Sequence, residues 1–253
     1  MLRLRQIALV ARELEPVEED LREILGLEVC YRDPGVGRFG LHNFLMPIGD
    51  NFLEVVAPIE DGTAGGRYLD RRDGDGGYMV IMQCNALDAA RERVTGLGVR
   101  LVLDSGGGAN AGIQLHPRDL PAALVELRQN EGEDEPAGPW SPAGPDWRSA
   151  QRLDVTVGMT AAELQTDDPG ALAARWSEVL ARPLQIGNDG NPQIALDDAV
   201  LRFVEALDGR GEGLGGLDLE VVDRERVLRA AEARGRRTGN DLVLICGVRF
   251  RIA

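Results

Sequence analysis

The stretch LRQIALVARELEPVEEDLREILGL, residues 4–27, carries the pattern from which the fold can be predicted. Residues 4–11 end in an apolar run and predict a strand. Pro16 then marks the first turn of a helix, where its missing N–H leaves no hydrogen bond unmade. One apolar stripe and a closing glycine complete this helix: Val17, Leu21, Ile24, Leu25 and Gly26.

Three strand-like runs follow at residues 28–32, 38–47 and 51–58, so the order is β-α-β-β-β. This order recurs after a Gly- and Asp-rich crossover and twice more later in the chain. The second module has a strand at 78–84, a helix ending at Gly98, and strands at 99–104, 112–115 and 122–127. The third has a strand at 160–166, a helix opened by Pro169, and strands at 184–186, 193–196 and 199–206. The fourth has a strand at 217–222, a helix at 224–234 and strands within 242–252. A repeat of this kind is stronger evidence for architecture than any single motif.

A proline-rich and acidic segment, NEGEDEPAGPWSPAGPDWRSA at residues 130–150, separates the second module from the third. Its four prolines and the cluster Glu131, Glu133, Asp134 and Glu135 predict a stiff, solvated linker. Trp140 and Trp147 are expected to anchor parts of it to a domain surface. The chain therefore divides into a domain at 1–130, a linker at 131–150 and a domain at 151–253. The predicted class is α+β, and each domain pairs two modules into a cupped mixed sheet with helices outside.

Composition excludes several functions. The net charge of −14 argues against nucleic acid as a partner, because a phosphate backbone needs a basic face. All 28 basic residues are arginine, which excludes a lysine Schiff base. Cys30, Cys84 and Cys246 are far apart and lie in apolar runs, so we expect reduced core thiols. No apolar run is long enough for a membrane helix or a signal peptide, which predicts a cytoplasmic protein, and the arginine-rich composition suggests a bacterial source.

Paired β-α-β-β-β modules resemble the vicinal-oxygen-chelate superfamily, which includes glyoxalases, bleomycin-resistance proteins and dioxygenases. The first strand with its following Leu25-Gly26-Leu27 is similar to the superfamily's opening strand and helix end. Residues 115–119 with 124–127 are similar to the last hairpin of methylmalonyl-CoA epimerases. Residues 62–69 through 77–78 are similar to a glyoxalase-like subgroup of uncharacterised bacterial proteins. The second half resembles the superfamily by pattern only.

The resemblance implies four ligand places, typically His, Glu or Gln, His and Glu, on the first and last strands of two modules. Here they fall on Gln6, Glu54, Tyr78 and Glu126, so both acidic residues remain and both histidines are missing. A site without imidazole binds transition metals weakly, although Gln6, Glu54 and Glu126 could offer three oxygens to a hard ion such as Mg²⁺ or Mn²⁺. In the second half the corresponding places are about Ala161, Arg202, Leu217 and one of residues 247–249, which predict no metal site.

The remaining candidates depend on which way side chains point. Glu54, Glu126 and Tyr78 are the candidate catalytic groups, although a glutamate in an alternating strand also commonly faces water. If the two carboxylates face each other, their repulsion raises one pKa and makes an acid/base pair. Substrate-binding candidates are Gln6, His42, His116 and Arg67; structural or surface roles are the alternative for both histidines and for Arg67.

Two functions follow from the resemblance. One is a small-molecule-binding protein without the usual His-based metal site and with no cofactor, as in bleomycin-resistance proteins. The other is a lyase, isomerase or dioxygenase that uses a divalent ion (Mg, Mn, Zn, Ni or Fe) or an acid/base pair next to a carbonyl. Both predict a small-molecule ligand, no nucleic acid and no membrane, and both leave a homodimer open.

Overall fold

The computed structural model describes residues 1–132 and 135–253, so Glu133 and Asp134 of the predicted acidic cluster lie outside the described residues. The first module comprises β1 (Leu2–Val10), α1 (Glu15–Leu25), β2 (Leu41–Ile48) and β3 (Asn51–Pro58), and is followed by α2 (Ala64–Arg72). The second comprises β4 (Gly76–Cys84), α3 (Leu87–Gly96), β5 (Leu101–Asp104), β6 (Gly112–Leu115) and β7 (Leu124–Arg128). The third comprises β8 (Thr156–Thr166), α4 (Pro169–Leu180), β9 (Leu184–Ile186), β10 (Pro192–Ala195) and β11 (Val200–Glu205). The fourth comprises β12 (Gly213–Val221), α5 (Arg224–Ala233), β13 (Leu242–Ile245) and β14 (Val248–Ile252).

The strands form two mixed sheets of seven strands within these ranges. Their orders are β2-β3-β1-β4-β7-β6-β5 and β13-β14-β12-β8-β11-β10-β9. The last strand of a module returns parallel to its first: β7 beside β4, β11 beside β8, and β14 beside β12. Parallel neighbours need a long crossover, which each module's helix begins. The prediction of an α+β fold with tandem pairs of modules is confirmed.

The helix boundaries follow the local sequence signals. Pro16 lies in the first turn of α1, and Gly26 ends it with a φ of 67° while its N–H donates to the Arg22 carbonyl at 3.0 Å. In α4, Pro169 follows Asp168, whose side chain accepts from the Ala171 N–H at 3.0 Å. The starts predicted at Pro16 and Pro169 and the end predicted at Gly26 are confirmed.

Two local predictions for the first module were wrong, and one helix after it was not predicted. Residues 28–32 form no strand; the residue Tyr31 makes only an isolated bridge to Leu45. The strand predicted from residue 38 begins at Leu41, because Pro34–Phe39 is a 3-10 helix capped by the Asp33 side chain. Pro34 has no N–H for a sheet ladder, which favours this departure. The crossover contains α2, which Thr63 caps and whose glycines hid its helical character.

Two compact units gather the described residues. The first unit holds Met1–Gln6, Tyr78–Ser141 and Ala161–Leu214, and the second holds Ile7–Gly77, Pro142–Thr160 and Gly215–Ala253. The predicted boundaries at residues 130 and 150 stay a prediction.

Each unit has its own aromatic core contact. In the first, Trp176 meets Phe203 edge-on at 5.9 Å and donates from Nε1 to the Pro121 carbonyl at 3.0 Å. In the second, Phe52 meets Trp147 edge-on at 5.0 Å. There the buried Asp20 of α1 also accepts from Arg234 and Arg236, at 2.7 and 2.6 Å. These contacts bring together residues distant in sequence inside each unit.

The predicted linker is less solvated than expected. Trp140 and Trp147 are 1% and 3% exposed, so their predicted anchoring is confirmed. Ala143 and Ala150 are buried too, and an entirely solvated linker is therefore wrong. None of the helices in the described part of the chain is long and apolar enough to span a membrane.

Replacing Gly26 with alanine should destabilise the protein. The new Cβ would lie 2.5 Å from Cγ2 of Val155, and the φ of 67° disfavours any L side chain. We expect a loss of about 2–4 kcal/mol in the free energy of unfolding, as left-handed strain and overpacking add. Urea denaturation measures it.

Gly98 supplies the matched control, because its φ is 73° and a Cβ at this position would have nothing within 4 Å. Gly98→Ala should show backbone strain alone, about 1–2 kcal/mol. Equal losses for the two variants would contradict the proposed contact with Val155.

Candidate functional site

Three of the four predicted ligand places lie in the first unit, on β1, β4 and β7. Gln6 is on β1, Tyr78 on β4 and Glu126 on β7. The parallel register of β4 and β7 pairs Ile81 with Glu126 and Gln83 with Arg128. Because alternate residues of a strand share a face, Glu126 and Arg128 point the same way, as do their partners on β4.

Both oxygens of the Glu126 carboxylate are engaged by protein donors. Arg128 Nη1 donates to Oε1 at 3.0 Å, and Gln114 Nε2 donates to Oε2 at 2.8 Å. Glu126 is 6% exposed. Gly112 leaves room for it, since a Cβ there would lie 2.8 Å from Oε1. This carboxylate is therefore held in place and neutralised by a guanidinium beside it.

Gln6 is bonded to a residue of the predicted linker. Trp140 Nε1 donates to Gln6 Oε1 at 2.6 Å, and both side chains are buried. The guanidinium carbons of Arg5 and Arg128 lie 5.5 and 5.8 Å from the centre of the Trp140 ring. The Gln6 side chain, which the resemblance assigned to a metal ion, therefore accepts a hydrogen bond from Trp140.

The segment 135–141, here called the strap, makes further contacts with β1. Arg5 donates to the carbonyls of Pro136 and Gly138, the latter at 2.7 Å. Arg3 Nη2 donates to the Glu135 carbonyl at 3.2 Å. The strap's backbone oxygens thus accept hydrogen bonds from two arginines of the first strand.

Gln83 and Arg128 keep unused donors in the same region. Gln83 Oε1 accepts from Arg3 Nε at 3.0 Å and from Arg3 Nη2 at 2.6 Å. In the described residues, Gln83 Nε2 and Arg128 Nε are buried and have no hydrogen-bond partner. Neither residue was among the sequence candidates. Arg128 lies two residues after Glu126 on β7, and Gln83 pairs with Arg128 from β4. This strand register is the signal that could have identified them.

The other candidates of the first unit have local roles. Tyr78 is half-buried near the start of β4. His116 follows β6, and its Nδ1 accepts from the Arg118 N–H at 3.2 Å, which is a turn contact. Substrate binding by His116 and a catalytic role for Tyr78 stay predictions.

Glu54, His42 and Arg67 belong to the second unit. Glu54 on β3 is 7% exposed and accepts from Asn43 Nδ2 at 2.5 Å. His42 is exposed on β2, and Arg67 is exposed on α2, where it donates to the Gly62 carbonyl at 2.5 Å. Convergence of Glu54 with Glu126 stays a prediction.

The third module contains a charge pair that sequence reasoning missed. Arg202, at the place corresponding to Glu54, lies opposite Glu163 in the parallel register of β11 and β8. Arg202 Nη2 donates to Glu163 Oε2 at 3.0 Å, and Asp189 lies 3.9 Å from Arg202 Nε. Ala161 and Leu217 are buried apolar residues. A buried carboxylate is therefore again neutralised by an arginine.

The described residues support neither a nucleophilic cysteine nor a cluster of metal-binding side chains. All three cysteines are free thiols, and Cys84 and Cys246 are buried, as predicted. Burial raises the pKa of the half-buried Cys30 to about 12, so its thiol stays protonated near neutral pH. Residues 1–132 and 135–253 contain no cluster of three or more His, Cys, Asp or Glu side chains suited to a metal ion.

Two open cavities, of about 330 and 260 Å³, lie in the second unit. The larger lies between the start of α1 and the turn at Cys246 and Gly247, and the smaller lies beside α2. Arg12 lines both, with carboxylates on each side. Arg67 lines the smaller cavity, and its binding role stays a prediction.

Comparison with known proteins identifies the family. Residues 7–180 match the family described as a glyoxalase-like domain. The chain belongs to the glyoxalase-like family. This confirms the resemblance to the vicinal-oxygen-chelate superfamily on which the ligand places were assigned.

Individual relatives of this glyoxalase-like protein agree. It is 28% identical over 132 residues to an ethylmalonyl-CoA/methylmalonyl-CoA epimerase of Cereibacter sphaeroides, covering 50% of this chain and 97% of that protein. A hypothetical protein of Staphylococcus aureus shares the fold over 100% of this chain and 99% of its own, with a TM-score of 0.68 and 10% identity. A methylmalonyl-CoA epimerase of Streptomyces coelicolor matches 51% of this chain and 96% of its own, with a TM-score of 0.45 and 23% identity.

A double-mutant cycle should detect coupling between Glu126 and Arg128. Glu126→Gln and Arg128→Gln should each lower the free energy of unfolding by about 1–3 kcal/mol, because each leaves a buried partner poorly satisfied. The double variant should lose less than the sum, with a coupling of about 1–2 kcal/mol. Urea denaturation of the four proteins gives these values.

Arg100→Gln is the control, because its partner Asp119 forms a pair in which Arg100 is 59% exposed. Water screens such pairs, so we expect almost no change. Strict additivity of Glu126→Gln and Arg128→Gln would show that the contact between the two side chains does not form in solution.

Proposed function

We propose that this glyoxalase-like protein binds a small organic molecule in its first unit, without a metal ion. The arrangement around Glu126 carries the proposal. Arg128 and Gln114 donate to the two carboxylate oxygens, so a metal ion at Glu126 would have to compete with both donors. The pocket would be lined by Gln6, Glu126 and Trp140.

Electrostatics supports binding without a metal. A divalent ion on Glu126 would either displace Arg128 or lie within a few ångströms of its positive guanidinium. Displacement would leave an arginine that is 20% exposed without its carboxylate. Gln6 accepts from Trp140 and Glu54 accepts from Asn43, so each of the three residues expected to hold an ion already serves a protein donor. The missing imidazoles lower transition-metal affinity further.

The side chains around Trp140 suit an organic ligand better than a metal ion. Trp140 offers an aromatic face, and amide and guanidinium donors surround it. Such a mixture of one large apolar surface with a few fixed polar groups is typical of small-molecule sites. The Trp140–Gln6 bond would have to break or shift if the ligand used Gln6.

Proton transfer next to a carbonyl is the second candidate. The sequence similarity to the Cereibacter sphaeroides epimerase spans 97% of that enzyme, which favours it. Glu126 of the first unit would be the base in this candidate. Against it, Glu126 is held by two donors and would be a weak base, since hydrogen bonds to the charged form lower proton affinity.

Metal-stripped protein tests the main proposal. In a thermal-shift and calorimetric screen, Mg²⁺, Mn²⁺, Zn²⁺ and Ni²⁺ should give no saturable binding at micromolar concentrations. A panel of organic acids and methylmalonyl-CoA should include at least one stabilising compound. At a hundred times its Kd, such a ligand stabilises by about 2.7 kcal/mol, which raises Tm by several degrees.

Arg128→Gln makes the screen sharper, because removal of the guanidinium should improve divalent-ion binding at Glu126. Arg100→Gln, whose pair with Asp119 lies at the surface, should leave metal binding unchanged. Stoichiometric metal binding by the unaltered protein, weakened by Glu126→Gln, would refute the proposal.

The epimerase alternative predicts exchange of a substrate proton. Methylmalonyl-CoA incubated with the protein in D₂O should gain deuterium at its α-carbon if this candidate is right, and Glu126→Gln should slow the exchange at least a hundredfold. Mass spectrometry reads the label. If methylmalonyl-CoA binds but exchanges its proton only at the uncatalysed rate, the binding function stands and the enzymatic function is ruled out.

A further inference from the structure

Two buried donors on neighbouring strands lack acceptors among the described residues. Gln83 is fully buried on β4, and its Nε2 has no partner in the described residues. Arg128 faces it across the β4–β7 register, and its Nε is also buried and unpaired. A buried donor without an acceptor costs free energy of folding. Two such donors side by side therefore indicate an acceptor that bridges them.

The spacing suits a carboxylate. Neighbouring strands lie about 4.8 Å apart, and two oxygens on one carbon can each accept from a donor at that separation. Guanidinium groups favour planar, two-oxygen acceptors in particular. Phosphate can also accept with two oxygens, but its further oxygens would need additional donors.

The strap already supplies oxygens to the same group of donors. Arg3 bonds both to Gln83 Oε1 and to the Glu135 carbonyl, while Arg5 bonds to the carbonyls of Pro136 and Gly138. These acceptors come from the backbone of a segment more than 130 residues away in sequence. Gly138 is needed for the turn, because a Cβ there would lie 2.5 Å from the Gly132 carbonyl oxygen.

We propose that the donors of Arg3, Arg5, Gln83 and Arg128 form a binding site for a small carboxylate, and that this ligand replaces carbonyl oxygens of the strap. The strap is then an internal competitor, anchored by the bond between Trp140 and Gln6. The proposal rests on the proposed binding function and adds to it the chemical class of the ligand.

Malonate is the probe, with malonamide as its neutral counterpart and inorganic phosphate as a second anion. On metal-stripped full-length protein, malonate should bind in calorimetry, and the other two should bind at least tenfold more weakly. Binding should also shift the tryptophan emission as the strap lifts. That shift should be absent in Trp140→Phe, in which Trp147 and Trp176 remain.

Two variants test the residues. Gln83→Glu keeps the acceptor for Arg3 but turns the free donor into a negative oxygen, so malonate should bind at least tenfold more weakly. Trp140→Phe loses the bond to Gln6, and malonate should bind several-fold to tenfold more tightly, because one hydrogen bond of the competitor is gone. Arg100→Gln should match the unaltered protein.

Several results would overturn the carboxylate site. They are equal binding of malonamide or phosphate, no malonate binding at all, unchanged affinity in Gln83→Glu, or weaker affinity in Trp140→Phe. Equal binding of the other probes would show that the site does not select a carboxylate, and absence of malonate binding would indicate that water occupies the free donors. If a neutral organic compound binds while malonate does not, the proposed function stands without this site. If only divalent ions bind, the proposed function itself fails.

Discussion

In the second, third and fourth modules the last strand returns parallel beside the first, and this is the constraint on which the rest depends. It requires a helix in the crossover, and it fixes which side chains become neighbours. Through it Glu126 lies opposite Ile81, Arg128 opposite Gln83, and Arg202 opposite Glu163. The chemistry of the candidate site therefore follows from a backbone register that the modules share. The second and third modules each place a polar pair across their first and last strands.

Arginine–carboxylate pairs occupy places that the superfamily resemblance assigned to metal ligands. In the second module the pair is Glu126 with Arg128, and in the third it is Glu163 with Arg202. A guanidinium neutralises a buried carboxylate and satisfies its oxygens, so either pair can be buried without an ion. The absence of both expected histidines and the presence of these arginines each disfavour divalent cations.

Sequence patterns predicted the repeat well, because helix stripes, Pro16, Pro169 and Gly26 act locally. They failed at residues 28–32, where only a long-range partner decides between strand and coil, and at α2, where two glycines mask a helix. The site was predicted in part. Glu126 and Gln6 were found by resemblance, whereas Gln83 and Glu163 required strand register, and the contact of Trp140 with Gln6 spans 134 residues.

The linker is the element whose role differs most from what its composition suggests. Prolines and acidic residues indicate a spacer, yet a spacer needs no fully buried tryptophan bonded to a buried glutamine. Fixing residues 135–141 costs conformational entropy, which the bonds from Arg3 and Arg5 must offset. Proline lowers that cost by stiffening the unfolded chain. A proline-rich segment can therefore be held against its own unit by a small number of hydrogen bonds, and this explains how an acidic, proline-rich composition is compatible with a buried tryptophan.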